Sequence, residues 1–210
     1  MGGTVETARL ALARGLACNT AGGSHHAHSA HGAGFCVFND VAVAVRVLAA
    51  EGAIARALVI DLDVHQGDGS AEIFAGEAIA FTFSMHCAAN YPARKQTSDR
   101  DVALPPGLGD SDYLTALESE LGELLPRVGA DIVFYNAGVD PHRDDSIGRL
   151  ELSDEGLRAR EAMVLEACLD AGIPVAAVIG GGYADDIDAL ARRHAILHVT
   201  AAAIAAARGL

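Results

Sequence analysis

Asp61-Leu62-Asp63-Val64-His65 alternates polar and apolar residues where a Val- and Ile-rich run ends. On an extended backbone, side chains two residues apart share a face. Asp61, Asp63 and His65 then point together, while Leu62 and Val64 turn into packing. An Asp and a His so spaced can reach one cation, and Asp140, after a second apolar run, can supply a third ligand. Three protein ligands with positions left open describe a catalytic rather than a closed structural metal site. Mixed imidazole and carboxylate donors suit zinc or iron(II) better than calcium. An isolated Asp-x-His would read more simply as loop carboxylates capping helices, Asp68-Gly69 especially, but other reactive clusters accompany this one.

His25-His26 follows Gly22 and Gly23, which let the main chain approach a site closely. Two adjacent imidazoles on irregular backbone suit acid–base chemistry near neutral pH. Each needs a carboxylate to set its tautomer, and Asp61 and Asp68, flanking the expected ligands, are the candidates. His28 and His31 lie further along the same loop and are expected to be bystanders. Tyr183 follows Gly180-Gly181-Gly182, where a phenol can donate to an oxygen as it gains charge; the simpler alternative is a tyrosine packed on the helix that follows.

The elements that must position these residues alternate. Apolar strand candidates are Leu16–Thr20, Ala57–Leu62, Ile79–Ser84, Asp131–Asn136 and Pro174–Ile179. Most are continuously apolar, as strands buried on both faces are. Helix candidates are Gly3–Arg14, Val41–Glu51, Gly69–Ala75, Ser111–Val128, Ser153–Ala171 and Asp185–Ala207. Ser153 is a good helix start, and Gly172 before Ile173-Pro174 a good stop. The pattern predicts a three-layer α/β/α fold with a mainly parallel sheet in one domain, residues 1–210. In such sheets chemistry collects at the carboxyl ends of the strands, and polar or Gly-rich clusters, His86 among them, follow all five candidates.

Composition narrows the partners. A net charge of −13 argues against nucleic acid and suits a cationic substrate, although acidity also simply keeps a chain in solution. No apolar run approaches the ~18 residues of a membrane span, and the N-terminus lacks a signal-peptide pattern, so a cytoplasmic location is expected. Cys18, Cys36, Cys87 and Cys168 are dispersed and read as reduced thiols.

Taken together, GGSHHAHSAHGAGFCVFND (22–40), DLDVHQGDG (61–69), NAGVDPHRDDSIGRLELS (136–153) and GGGY (180–183) resemble the histone deacetylase superfamily, with its arginase/deacetylase fold. FTFSMH (81–86) and residues 91–110 look similar to bacterial class IV-like members. The resemblance implies Zn2+, with Fe2+ as the alternative, on Asp63, His65 and Asp140. It implies catalytic roles for His25 and His26, held by Asp61 and Asp68, and for Tyr183. Gly34 and Phe35 would line an acyl-lysine channel with Cys36 near its floor. Asp61, Ser84 and carbonyls near Asp63 and His65 would form a K+ site. The implied activity is removal of acetyl or other acyl groups from lysine side chains of a protein or peptide, or from acylated polyamines. Family members carry further sequence before the Gly-Gly-Thr helix, so the resemblance implies a catalytic domain without that N-terminal portion, one channel rim and one sheet edge being left open. Two alternatives stay open: a catalytically incomplete fragment acting only in binding, and an arginase-type two-metal ureohydrolase. Oligomeric state is not legible.

Overall fold

A computed structural model describes residues 1–210. The chain runs α1 (Gly2–Arg14), β1 (Leu16–Cys18), α2 (Asp40–Ala50), β2 (Ala57–Asp61), α3 (Asp68–Ile73), β3 (Ala80–Cys87), β4 (Arg100–Leu104), α4 (Asp110–Val128), β5 (Ile132–Asn136), α5 (Asp154–Asp170), β6 (Val175–Val178) and α6 (Ile187–Arg208). The six strands form one sheet in the order β1-β6-β5-β2-β3-β4, and every pairing is parallel.

Parallel strands joined by helical crossovers bury both sheet faces, and the strand side chains divide accordingly. Leu58 and Ile60 of β2, Val133 and Tyr135 of β5 and Val175 and Ala177 of β6 enter one core with α4, α5 and α6. The alternate residues Ala57, Val59, Ile132, Phe134, Ala176 and Val178 enter the other with α1 and α2. A one-residue slip of any of these strands would exchange the two sets. Helix boundaries have local causes: Asn39 caps α2 by accepting from the Ala42 N–H, and Ser153 caps α5 by accepting from that of Gly156. No helix is long and apolar enough to cross a membrane. All four cysteines are free thiols.

Three expectations need correction. The sheet has a sixth strand, β4, at one edge. Its residues Arg100 and Asp101 are charged and mostly exposed, so no apolar run announces it. Strand β3 continues three residues past Ser84, because Met85, His86 and Cys87 pair with Val102, Ala103 and Leu104 of β4. His86 is therefore inside a strand, buried beside Ser84 Oγ at 3.0 Å, not in the loop after it. The first strand is shorter than its sequence signal and ends at Cys18.

Candidate active site

Strand order reverses at the β5–β2 pair: β2 leads through β3 to β4 at one edge, and β5 leads to β6 toward the other. The carboxyl ends at such a switch point open a crevice. Asp63 lies just past β2 and Asp140 just past β5. His65 Nδ1 is 3.0 Å from Asp63 Oδ1 and 3.1 Å from Asp140 Oδ2, and the three donor atoms lie within 4.8 Å of one another. A tetrahedral ion with bonds of about 2.0–2.1 Å has ligand–ligand edges of roughly 3.3 Å, so the set has the right scale.

The main chain fixes the two carboxylates. The Val64 N–H donates to Asp140 Oδ1 (2.8 Å), the His65 N–H to Asp63 Oδ1 (3.0 Å) and the Gly181 N–H to Asp63 Oδ2 (2.8 Å). A Cβ on Gly181 would stand 2.7 Å from Asp63 Oδ2, and one on Gly138 2.5 Å from the same oxygen. Only glycine lets backbone come this close. Burial opposes ionisation of both acids. At Asp63 the imidazoles of His25 and His65 outweigh burial and hold the carboxyl well below its ordinary range. Burial and the Asp63 charge instead raise Asp140 to about 7, despite His65. Burial lowers His65, but its bonds to Asp140 and Asp63 win and lift it to about 10. Two fully buried carboxylates sharing one imidazole are short of positive charge, and a divalent cation fits that deficit.

Beside this cluster, His25 Nδ1 meets Asp61 Oδ2 at 2.7 Å and His26 Nδ1 meets Asp68 Oδ1 at 2.5 Å. The rings lie 4.0 Å apart. Each carboxylate holds the ring proton on Nδ1 and leaves Nε2 to face the crevice; His25 Nε2 is 3.7 Å from Asp63 Oδ1. The two rings are tuned apart. Burial lowers both, but Asp61 and Asp63 carry His25 well above its ordinary value. At His26, burial and the His25 charge outweigh Asp68, and the ring lies below its ordinary value.

Outward from His26 and His65 a cavity of about 380 Å³ is walled by Gly34, Phe35, Tyr91, Ile147 and Tyr183. Phe35 is 90% exposed and holds φ at 64°, where a side chain is strained. Cys36 lines the narrower space below, with His25, Asp63 and Gly181. Tyr183 stands edge-on to His65, ring centres 6.3 Å apart, and faces Phe35 at 6.1 Å. Burial and the charges of Asp63 and Asp140 push its phenol well above the ordinary value, so it stays a donor. Its N–H donates to Asp145 Oδ2 (2.7 Å), while the Ile147 and Gly148 N–H groups donate to Asp145 Oδ1.

The residues singled out for chemistry thus meet at one crevice: Asp63, His65 and Asp140 at its base, His25–Asp61 and His26–Asp68 on one side, Cys36 in the narrower space below and Gly34, Phe35 and Tyr183 around its mouth. Asp61 and Ser84 are register partners on adjacent strands. Sequence reasoning missed four supporting residues. Asp40 accepts from the N–H groups of Gly23 (3.1 Å) and Ser24 (2.8 Å), pinning the turn before the histidine pair. Asn136 donates to Asp61 Oδ1 at 3.0 Å. Tyr91 and Ile147 complete the wall. Tyr91-Pro92 stands in a loop after β3 and was the one legible signal; Asp40 reads as an ordinary first-turn acid of α2.

Comparison with known proteins shows the family and the fold. A profile of the histone deacetylase domain matches residues 1–199. An uncharacterized protein of Picosynechococcus sp. is 54% identical over 198 residues, 94% of this chain and 66% of its own length. Histone deacetylase 2 of Arabidopsis thaliana is 31% identical over 204 residues, 92% of this chain and 53% of its own. The crystal structure of a histone deacetylase homologue from Aquifex aeolicus superposes with a TM-score of 0.82 at 29% identity, over 95% of this chain and 55% of that one. The chain therefore spans between half and two thirds of the length of these relatives.

Proposed function

The chain belongs to the histone deacetylase domain family, and on that premise we propose that it is a metal-dependent amidohydrolase removing acetyl or other acyl groups from lysine side chains or related amines. The observation that carries this reading is the convergence of Asp63, His65 and Asp140 with two carboxylate-held imidazoles in one crevice. Residues 1–210 act as one catalytic domain, in the cytoplasm, on a cationic acyl-lysine peptide or an acylated polyamine, which the −13 net charge would attract.

Zinc, or alternatively iron(II), held by Asp63, His65 and Asp140 would supply Lewis-acid polarisation of the amide carbonyl and of a water. The side chains do the rest. Gly34 and Phe35 take the acyl-bearing stem, and Cys36 lies at the acyl end. His26 Nε2, facing the cavity, receives the water's proton while Asp68 holds its Nδ1–H. The Tyr183 hydroxyl donates to the carbonyl oxygen as charge gathers there. An imidazole of the pair returns a proton to the leaving nitrogen, so the amine departs neutral. Asp61 and Ser84, register partners on adjacent strands, would help to hold K+ with nearby main-chain carbonyls, and such an ion would supply positive charge behind His25. Asp61 already accepts from the Asn136 amide and the Asp63 N–H, and pairs with His25. Gly138 and Val139 stand before Asp140 where a second acidic ligand would be needed, which favours one catalytic metal over the paired metals of a ureohydrolase.

The test is metal analysis of the full chain with assays on acyl-lysine peptides and acylated polyamines, His26→Ala and Tyr183→Phe serving as controls. One bound metal is expected, with turnover that both substitutions lower by about two or more orders of magnitude. Metal bound with no turnover on any substrate would overturn the hydrolase reading in favour of a binding role.

A further inference from the structure

Arg160, on α5, has no exposed surface at all. Its Nη1 donates to two main-chain carbonyls, Leu62 O at 3.1 Å and Gly138 O at 2.8 Å. The first belongs to the peptide that enters Asp63, and the second to the peptide one residue before Asp140. Its Nη2 donates to Glu161 Oε1 at 2.6 Å, and Glu161 Oε2 accepts from the Tyr135 hydroxyl. Charge is expensive to bury unless paired, and an unsatisfied polar group is expensive too. Here Arg160 Nε and the Tyr113 hydroxyl have no hydrogen-bond partner. A site that tolerates these costs under a ligand-bearing strand end requires a role for the guanidinium.

We propose that Arg160 is a positioning residue for the metal centre, its guanidinium clamping the Leu62 and Gly138 carbonyls so that the ends of β2 and β5 hold Asp63 and Asp140 at ligand spacing. The inference rests on the metal-site reading above. Strand pairing ends where the sheet ends: Asp61 and Asn136 are the last register partners of β2 and β5. Beyond them the Leu62 N–H still reaches Asn136 O, at 3.1 Å, but the Leu62 and Gly138 carbonyls go to Arg160. One planar donor group thus takes over where the ladder stops. Glu161 neutralises the charge, so the clamp works through hydrogen bonds rather than through its field. It touches neither the cavity nor any of the three ligand side chains, and so acts on their spacing alone.

The probe is Co2+, titrated into the metal-free full chain and followed by its visible absorption, with kcat and KM measured on the same samples. Arg160→Met with Glu161→Gln removes the ion pair while leaving Tyr135 an acceptor. Arg160→Lys keeps the pair but loses the planar fork. Expected for each folded variant is a cooperative melt, Co2+ affinity about 10–100-fold weaker, an altered absorption band, lower kcat and unchanged KM. Wild-type affinity and spectrum in either folded variant would overturn the clamp. So would failure of both to fold, which would make Arg160 a requirement of the fold only. A wild-type chain that binds no Co2+ would instead overturn the metal-site reading beneath it.

Discussion

The main-chain N–H of Gly181 donates to Asp63 Oδ2 at 2.8 Å, so the turn after β6 orients a carboxylate that lies just past β2. The same turn carries Tyr183 two residues on. Gly181→Ala would push a methyl to 2.7 Å from that oxygen. Expected are a folded protein with metal affinity reduced by about 10–100-fold and a comparable loss of kcat, read by metal content after dialysis. Retention of full metal content would disprove the orienting role.

Removing the Tyr183 hydroxyl should leave the fold intact, because it has no buried partner to abandon. Loss of one preorganised donor costs about 10²–10³ in kcat. Tyr183→Phe is expected to show that loss with KM changed little and the melting temperature unchanged. A rise in KM with kcat unchanged would reassign Tyr183 to substrate binding.

Phe35 combines 90% exposure with φ of 64°. Left-handed backbone costs a side-chain-bearing residue roughly 1–2 kcal/mol, and no packing returns it. Phe35→Gly should therefore raise stability modestly, or at least not lower it, while KM for an acyl-lysine peptide increases several-fold with kcat little altered. Calorimetry and steady-state kinetics on the same preparation decide it. A destabilised variant with normal KM would show that Phe35 is structural.

Asp68 sets a pH dependence of stability. Burial raises its carboxyl, but the His26 bond and the charges of His26, His28 and His25 outweigh burial and hold it below the ordinary value. A depressed carboxyl contributes stability that is complete above its unfolded value, near 3.8. That contribution is lost as pH falls below this value through the folded one. Asp68→Asn removes it. The variant's melting temperature should fall less steeply than wild type on acidification below about pH 4, while near neutral pH kcat drops by about 10²–10⁴ as His26 loses its tautomer holder. Parallel acid slopes for the two proteins would refute the assignment.

The sequence made the strands legible wherever both faces are buried. Leu58–Ile60 and Val133–Tyr135 are apolar throughout, and both end in the polar residues that reach the crevice. It hid β4 because this edge strand opens on exposed Arg100 and Asp101 and has no such run. Asp63 and His65 stood out through spacing of two along extended chain, and the histidine pair through its glycines. What sequence could not convey were partners brought in from afar: Asp40 to Gly23, Asn136 to Asp61, Arg160 to Leu62, separated by 17, 75 and 98 residues. Such contacts follow from strand order, and strand order is set by tertiary packing rather than by local pattern.

Asp63 and Asp140 lie just past adjoining strands that are far apart in the chain, and on the proposed reading this would also fix when a metal is captured. His65 and Asp140 are 75 residues apart, and β2 must wait for β5 before they meet. Pairing over such separation comes late, since its chain entropy is lost before contacts compensate. A half-made chain offers only Asp63 and His65, a two-donor fragment that holds ions weakly and exchanges them freely. On the proposed reading, the three-donor site would arise only with the completed centre of the sheet, and metal loading would follow folding and report on it. A refolding experiment in which metal-dependent fluorescence or absorption trails the recovery of sheet structure would record that order directly.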